Sequence, residues 1–357
     1  MKETNPVWTW IVPIASLAAL GASTIFPNPV VRAVAAAALI GAVFAAVHHA
    51  EVIAHKVGEP FGTLVLAVAV TVIEVALIVS LMMAAGPEKA GLARDTVLSA
   101  IMIAANGIVG MCLLVGGVRH HEQGFRIQSA SAALAVLCVL SVMTLVMPNF
   151  LVATPGPTLS RSQLVFVGTV SLVLYLVYVF VQTVRHRDYF LAEVGEGEDV
   201  HAQAPPIRAV IASVGLLGSA LVAVVGLAKT LSPVIEVAVA RAGAPVAVVG
   251  VAISALVLLP ESLAALRQAR VNRLQNSLNL ALGSALASIG LTIPVIAAVS
   301  IAFAKPIELG ISPRDTVLLA LTLLVGVITL GTGRTTVLQG AVHLVIFAGY
   351  LFLTVVP

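Results

Sequence analysis

Apolar residues in this chain run in long stretches, and charged residues interrupt them almost only at their ends. Ten stretches contain no Asp, Glu, Lys or Arg; they span residues 4–31, 33–50, 96–118, 127–160, 162–184, 209–228, 242–260, 274–304, 316–333 and 335–357. An eleventh stretch, 60–87, is interrupted once, at its midpoint, by Glu74. Because a helix needs about 20 apolar residues to cross a bilayer, the pattern predicts about eleven transmembrane helices joined mostly by short loops.

The composition agrees with a chain whose main solvent is lipid. Charged residues make up 10% of the 357 residues and hydrophobic residues 60%, whereas an ordinary soluble domain carries about 25% charged residues. This scarcity excludes a soluble globular protein and any sizeable aqueous domain. The net charge of +3 is spread over loop ends, so it forms no patch for nucleic acid. The expected fold class is an all-α polytopic membrane protein.

An acidic segment between the sixth and seventh spans divides the chain. Within residues 186–206 lie five acidic residues: Asp188, Glu193, Glu196, Glu198 and Asp199. One span falls in 1–26, five fall in 27–185 and five in 207–357. Because five is odd, the two halves enter the membrane in opposite directions, as in an inverted repeat. We therefore expect one retained N-terminal transmembrane helix, a first five-helix repeat, an acidic linker and a second, inverted five-helix repeat.

The basic residues predict the orientation of the chain. Eleven of the 19 Lys and Arg residues fall on the side that holds the N-terminus, and basic residues favour the cytoplasmic side. The N-terminus and the linker 186–206 are then expected to be cytoplasmic. The acidic spacing in the linker does not match an EF-hand loop, so a solvated connection is favoured over an ion sensor.

Two glutamates lie within the predicted spans at matching ordinal positions. Glu74 belongs to the second helix of the first half and Glu261 to the second helix of the second half. A carboxylate in the hydrocarbon core costs at least about 2.5–3.5 kcal/mol, so its presence indicates a function. Thr71 shares the helix face of Glu74, and Pro260 leaves a backbone carbonyl before Glu261 that could coordinate a cation. Oxygen ligands suit hard cations such as Ca²⁺ and Na⁺.

Competition between protons and cations for such carboxylates leads to the exchange of cations for protons. An apolar environment favours the neutral, protonated carboxyl group, so cation binding and protonation displace one another. Reorientation of the empty, doubly charged protein would bury two charges at a high cost in free energy. The two glutamates therefore predict a coupled cation/proton antiporter that needs no cofactor.

Two long segments contain these glutamates. They read HHAEVIAHKVGEPFGTLVLAVAVTVIEVALI at 48–78 and LPESLAALRQARVNRLQNSLNLALGSALASIGLTIPV at 259–295. Both resemble the α-repeats of the calcium/cation antiporter superfamily, with the closest likeness to its ChaA-type calcium/proton and sodium/proton antiporters of bacteria. The resemblance implies alternating access in a bacterial inner membrane, with the lipid bilayer and inorganic cations as partners.

The same resemblance assigns roles to five residues. It implies that Glu74 and Glu261 are the paired metal-binding and proton-carrying groups. Asn106 and Ser288, on the third helices of the two halves, are implied to help line the ion site. Glu51 looks like the acidic residue that the superfamily carries ahead of its first repeat, with a proton-handling or gating role; the alternative is an interfacial cluster at the end of its helix.

The chain departs from the broader calcium/proton exchanger pattern. That pattern reads Gly-Asn-Ala-Val-Glu in the first repeat and Gly-Asn-Ala-Ala-Glu-His in the second, and here Thr71 and Leu258 stand in place of the two Asn residues. A later acidic position is Asn279. Fewer strong oxygen ligands weaken the prediction of tight Ca²⁺ selectivity and favour exchange of Na⁺ or K⁺ as well.

Two other functions remain open from the sequence. A metal-dependent intramembrane hydrolase could use the cluster His48, His49, Glu51 and His55, although no HExxH motif occurs and the second half has no matching cluster. A channel would conduct ions without coupling them to protons. His343, alone in the last span, is expected to be packed or hydrogen-bonded rather than a ligand.

Overall fold

The computed structural model describes residues 6–26, 28–58, 61–84, 90–154, 156–191 and 205–356. These residues form twelve α-helices and two short strands. They are α1 (Val7–Ile25), α2 (Pro29–Val57), α3 (Phe61–Ala84), α4 (Leu92–Met102), α5 (Val109–His120), β1 (Gln123–Gly124), α6 (Ile127–Ser141), α7 (Arg161–Phe180), α8 (Ile207–Arg241), α9 (Ala247–Arg270), α10 (Leu274–Phe303), α11 (Pro313–Leu330), β2 (Arg334–Thr335) and α12 (Val337–Val355). The four acidic linker residues after Asp188 lie outside the described part of the chain.

The helices confirm the predicted fold class. Among the described residues, ten helical segments are long and apolar enough to cross a membrane, and α3 contributes a shorter apolar stretch, Val65–Ser80. One span, Leu92–His120, combines α4 and α5 through a π-helical segment, Ile103–Ile108. The chain is therefore an all-α polytopic membrane protein with about eleven transmembrane helices.

Local sequence explains where several spans begin. At the start of α7, Ser160 Oγ accepts from the backbone N–H of Gln163 at 3.4 Å, while Gln163 Oε1 accepts from the backbone N–H of Ser160 at 2.8 Å. Thr336 and Gln339 form the same reciprocal arrangement before α12. Such capping boxes satisfy backbone donors that have no partner inside the helix, which matters most where the neighbouring solvent is lipid.

One compact unit comprises Met1–Ala85 and Val194–Ala242. Within it, α2 packs against α1, α3 and α8. The fully buried His49 on α2 joins two of these helices, since its Nε2 lies 2.9 Å from the carbonyl oxygen of Thr9 and its Nδ1 lies 3.1 Å from Ser213 Oγ. This histidine ties α1, α2 and α8 together.

The second compact unit comprises Gly86–Glu193 and Gly243–Pro357. Its loops meet at two ends. At the end where α9 gives way to α10, β1 pairs with β2 in an antiparallel arrangement, and Gln123 Nε2 donates to Asn272 Oδ1 at 2.9 Å. At the other end, the backbone N–H of Ile311 donates to the carbonyl oxygen of Leu145 at 2.9 Å. The spans of this unit therefore run alternately between the same two ends.

The two units are a different division from the predicted repeats. Each unit takes helices from both halves of the sequence, because α8 of the second half belongs to the first unit and α4 to α7 of the first half belong to the second. The repeat boundaries at 27–185 and 207–357, the helix at 1–26 and the linker at 186–206 stay predictions.

Helices α5 and α12 cross at glycines. A Cβ atom placed on Gly340 would clash with the backbone nitrogen of Leu114 and would lie 2.9 Å from the carbonyl oxygen of Gly110. A Cβ atom on Gly110 would lie 2.9 Å from Cβ of His343. Any side chain at either glycine would force the two backbones apart, so glycine is what brings His343 of α12 against the span of α4 and α5.

We expect Gly340→Ala to lower the thermal stability of the detergent-solubilised protein. The added methyl group would meet backbone atoms that cannot rotate away, and such overpacking costs about 1–3 kcal/mol. The melting temperature is measured by size-exclusion chromatography after heating. Gly349→Ala on the same helix is the matched control, because a Cβ atom there meets nothing within 4 Å. Equal melting temperatures for the two variants would contradict the close crossing.

Candidate ion site

Glu74 is buried in the first unit. It is 2% exposed, and Thr71 on the same face of α3 is also buried. Helix α3 packs against α2 and α8, so the two side chains point into the helix bundle rather than outward. Glu51 on α2 is exposed. The first unit thus holds a buried carboxyl group with a hydroxyl group one turn before it on the same face.

Glu261 is buried in the second unit. It is 4% exposed and lies inside α9, which continues through Pro260 as far as Arg270. Proline has no N–H to donate, so the carbonyl oxygen one turn earlier loses its helical hydrogen bond. The carboxyl group therefore lies next to a local gap in the backbone hydrogen bonding of its helix.

Hydrogen bonds on either side of Glu261 fix α9 to its neighbours. Ser254 Oγ donates to the carbonyl oxygen of Thr96 on α4 at 2.7 Å, and Ser277 Oγ on α10 donates to the carbonyl oxygen of Ala265 at 2.7 Å. Both hydroxyl groups are buried. Side chains that satisfy backbone carbonyls across helices hold the position of the glutamate within the unit.

Asn106 lies in the π-helical segment Ile103–Ile108 that links α4 to α5. π-Helices account for well under 1% of residues in proteins and are frequent at functional sites, because the extra residue in the turn redirects side chains and loosens the backbone hydrogen bonding. The segment contacts α9, which carries Glu261, and α10, which carries the buried Ser288. The second unit therefore brings together the three elements that hold its predicted site residues.

Both ends of the Asn106 amide are hydrogen-bonded. Its Nδ2 donates to Thr322 Oγ1 on α11 at 2.8 Å, and its Oδ1 lies 3.1 Å from Nδ1 of His343 on α12. Nε2 of His343 lies 2.8 Å from Thr329 Oγ1. All four side chains are buried. The prediction that His343 is a hydrogen-bonded histidine is confirmed.

Sequence reasoning gave no role to Thr322 or Thr329, and it did not connect His343 with Asn106. Their signal in the sequence is weak, since threonine is common in transmembrane helices and His343 stands alone in its span. Only the close crossing of α5 and α12 and the packing of α11 against the π-helical segment place them around Asn106. The pair Gly110 and Gly340 is the one sequence feature that could have pointed to this contact.

The histidine cluster does not form a metal site. Both ring nitrogens of His49 face polar groups of α1 and α8, His48 packs its ring 5.7 Å from that of Trp8, and Glu51 points outward. Across the described ranges, no group of three or more His, Cys, Asp and Glu side chains could hold a metal ion. The hydrolase alternative thus loses the side-chain cluster on which it depended.

Comparison with known proteins identifies the family. The family model described as sodium/calcium exchanger protein matches residues 28–184 and 212–356. The chain is 51% identical over 361 residues to the y4hA protein of Sinorhizobium fredii (strain NBRC 101917 / NGR234), covering 99% of this chain and 97% of that protein. It is 35% identical over 359 residues to the sodium-potassium/proton antiporter ChaA of Escherichia coli (strain K12), covering 98% of this chain and 95% of that protein.

A solved structure shares the fold. The structure of native YfkE superposes with a TM-score of 0.76 at 17% sequence identity, covering 98% of this chain and 100% of that chain. A match of this kind supports the fold, while the family follows from the extent of the sequence matches. The chain belongs to the sodium/calcium exchanger protein family within the calcium/cation antiporter superfamily, and it is a secondary transporter rather than an enzyme.

Proposed function

We propose that this antiporter exports Ca²⁺, Na⁺ or both, and K⁺ as a further substrate, from the cytoplasm in exchange for protons. The observation that carries the proposal is the burial of Glu74 and Glu261, each in an apolar transmembrane helix. A buried carboxylate that is charged needs a cation or a proton close by, because an uncompensated charge in a medium of low dielectric constant is very costly.

Competition at these two carboxyl groups supplies the exchange. Each group binds either a cation as a carboxylate or a proton as a neutral acid, and occupancy by one releases the other. The loaded and the protonated forms are close to electrically neutral, so they can change their access to the two sides of the membrane. The empty form would carry two negative charges in buried positions, and the free-energy cost of this prevents the change of access. Export of a cation therefore requires entry of protons.

The oxygen donors near the glutamates support a broad cation specificity. Thr71 offers one hydroxyl oxygen on the face of Glu74, while Leu258, one turn before Glu261, offers none. Ca²⁺ takes six to eight oxygen ligands, and a carboxyl group with few neutral donors beside it supplies these less readily. The single charge of Na⁺ or K⁺ is easier to balance with the same groups. ChaA carries the name of a sodium-potassium/proton antiporter, which agrees with transport of monovalent cations.

We place the chain in the bacterial inner membrane with its N-terminus and the linker 186–206 in the cytoplasm. The excess of Lys and Arg on that side supports the orientation. The end of the second unit with the β1–β2 pair carries Arg126, Arg270 and Arg334. Phe190, in the described part of the linker, lies at the same end, because its carbonyl oxygen accepts from Asn279 Nδ2 on α10. Outward cation transport in this orientation uses the inward proton gradient.

Inside-out membrane vesicles provide the test. After a respiratory substrate has acidified the vesicle interior, we expect addition of CaCl₂, NaCl or KCl to dissipate the pH gradient when the protein is present. Choline chloride and vesicles without the protein serve as controls. Cation flux that proceeds equally well without a pH gradient would favour a channel, and an unchanged pH gradient with all three cations would contradict proton exchange.

A further inference from the structure

We propose that His343 is a positioning residue of the transport site: it holds the Asn106 amide so that its oxygen faces a bound cation. The inference rests on the proposed function and on the prediction that Asn106 helps to line the ion site. His343 itself contacts neither cation nor transported proton in this proposal. Its contribution is the orientation and rigidity of the amide in the π-helical segment.

The orientation of the amide follows from its hydrogen bonds. Thr322 Oγ1 donates its single proton to the carbonyl oxygen of Leu318 at 2.8 Å, so toward Asn106 the hydroxyl group can only accept. In agreement, Nδ2 of Asn106, the donor end of the amide, faces Thr322 Oγ1 at 2.8 Å. The acceptor end, Oδ1, then faces His343, and it is the ring of His343 that donates across the 3.1 Å contact.

The bond to Asn106 also defines the role of the ring. An amide oxygen only accepts hydrogen bonds, so Nδ1 of His343 must carry a proton whenever the bond is made. In the neutral ring Nε2 then accepts, so Thr329 Oγ1 gives its single proton to Nε2, 2.8 Å away, rather than to the carbonyl oxygen of Val325 at 2.7 Å. This second bond fixes the ring plane. Because the ring keeps its Nδ1 proton while it orients Asn106, it is not a carrier in the proton exchange.

The bond to His343 leaves Asn106 Oδ1 usable as a ligand. An amide oxygen has two lone pairs, and one of them accepts from Nδ1. The π-helical segment lacks the regular hydrogen bonding of an α-helix, so its side chains depend on neighbouring helices for their position. Here α11 and α12 supply that support through Thr322 and His343. Partners that orient a ligand typically affect cation affinity by about 10- to 100-fold when they are removed.

Two substitutions of His343 separate positioning from packing. The side-chain nitrogen of asparagine reaches about as far as Nδ1 of histidine, whereas that of glutamine reaches about as far as Nε2. His343→Asn should therefore retain the bond to Asn106, and His343→Gln should retain only the bond to Thr329. We expect His343→Gln to raise the cation KM at least about 10-fold with Vmax little changed, and His343→Asn to restore most of the affinity.

Asn106→Ala provides the reference for this comparison. If His343 acts through Asn106, the double variant Asn106→Ala/His343→Gln should have the KM of Asn106→Ala alone, because coupled residues are not additive. Equal KM values for His343→Gln and His343→Asn would overturn the proposal, as would an additive double variant. If His343→Gln does not assemble, Thr329→Val tests the same chain of bonds, and an unchanged KM in that variant would also overturn it.

The assay distinguishes the failure of this inference from the failure of the proposed function. All variants are measured in the inside-out vesicles, with the amount of protein matched by immunoblotting, alongside Glu261→Gln. Normal exchange by Glu261→Gln would refute the proposed function itself. Loss of exchange by Glu261→Gln together with a normal KM in Asn106→Ala would leave the proposed function intact and refute the role of His343.

Discussion

Replacement of Glu261 by glutamine is expected to abolish cation/proton exchange while the chain remains inserted in the membrane. Glutamine has nearly the shape of a protonated glutamic acid, so the packing of α9 is retained, but it can neither lose a proton nor carry a charge. A unit charge about 4 Å from a cation contributes about 4 kcal/mol at an effective dielectric constant of 20, or about a 1,000-fold change in affinity. The measurement is the initial rate at which NaCl or CaCl₂ dissipates the pH gradient in inside-out vesicles.

Two further variants make the Glu261 result specific. Glu261→Asp retains the charge on a shorter side chain, so we expect measurable exchange with a raised cation KM. Glu122→Gln removes a carboxylate from an exposed ion pair with Arg334, 3.1 Å between Arg334 Nη1 and Glu122 Oε1. Exposed pairs contribute little to stability, so exchange should stay at the wild-type rate. Wild-type exchange by Glu261→Gln would contradict the assignment of this residue.

Replacement of Glu74 by glutamine is the second variant expected to abolish exchange. The carboxyl group is 2% exposed and shares its helix face with Thr71, so a bound cation there would lose its only charged ligand on α3. We also expect a loss of cation-dependent stabilisation. A cation at 100 times its Kd stabilises a folded protein by about 2.7 kcal/mol. Addition of the cation should therefore raise the melting temperature of the purified wild-type protein. The melting temperature of Glu74→Gln should not change.

Glu74→Asp is the matched variant for this result. It retains the charge, so both the thermal shift and some exchange should return at higher cation concentrations. A Glu74→Gln protein that still shows the full thermal shift but no exchange would place cation binding elsewhere and leave Glu74 with proton transfer alone. Full exchange by Glu74→Gln would contradict any role in transport.

The features that the sequence predicted well depend on local chemistry. Transmembrane helices and the two buried glutamates are visible because one side chain in about 20 residues of hydrocarbon stands out by itself. The π-helical segment Ile103–Ile108 is different, since its residues Ile, Ala, Asn and Gly also occur in regular transmembrane α-helices. A change in backbone hydrogen bonding within a continuous apolar run leaves no periodic signal in the sequence.

The histidine cluster shows why neighbours in sequence need not meet. His49 and Glu51 are two residues apart, and at 100° per residue their side chains point about 200° apart around α2. His49 therefore faces α1 and α8, while Glu51 faces outward. Asn106 and His343 show the converse, because 237 positions separate two side chains that lie in hydrogen-bond contact.

That separation has a consequence for how the protein is made. Asn106 precedes His343 by 237 positions, so it enters the membrane well before α12 has been synthesised. Until then, the amide oxygen must find another partner or bear the cost of an unsatisfied polar group, about 1–3 kcal/mol. A nascent chain already contains both buried glutamates long before it contains the ring that orients Asn106. Helix α12 thus completes the hydrogen bonding of Asn106 only after both glutamates have been inserted.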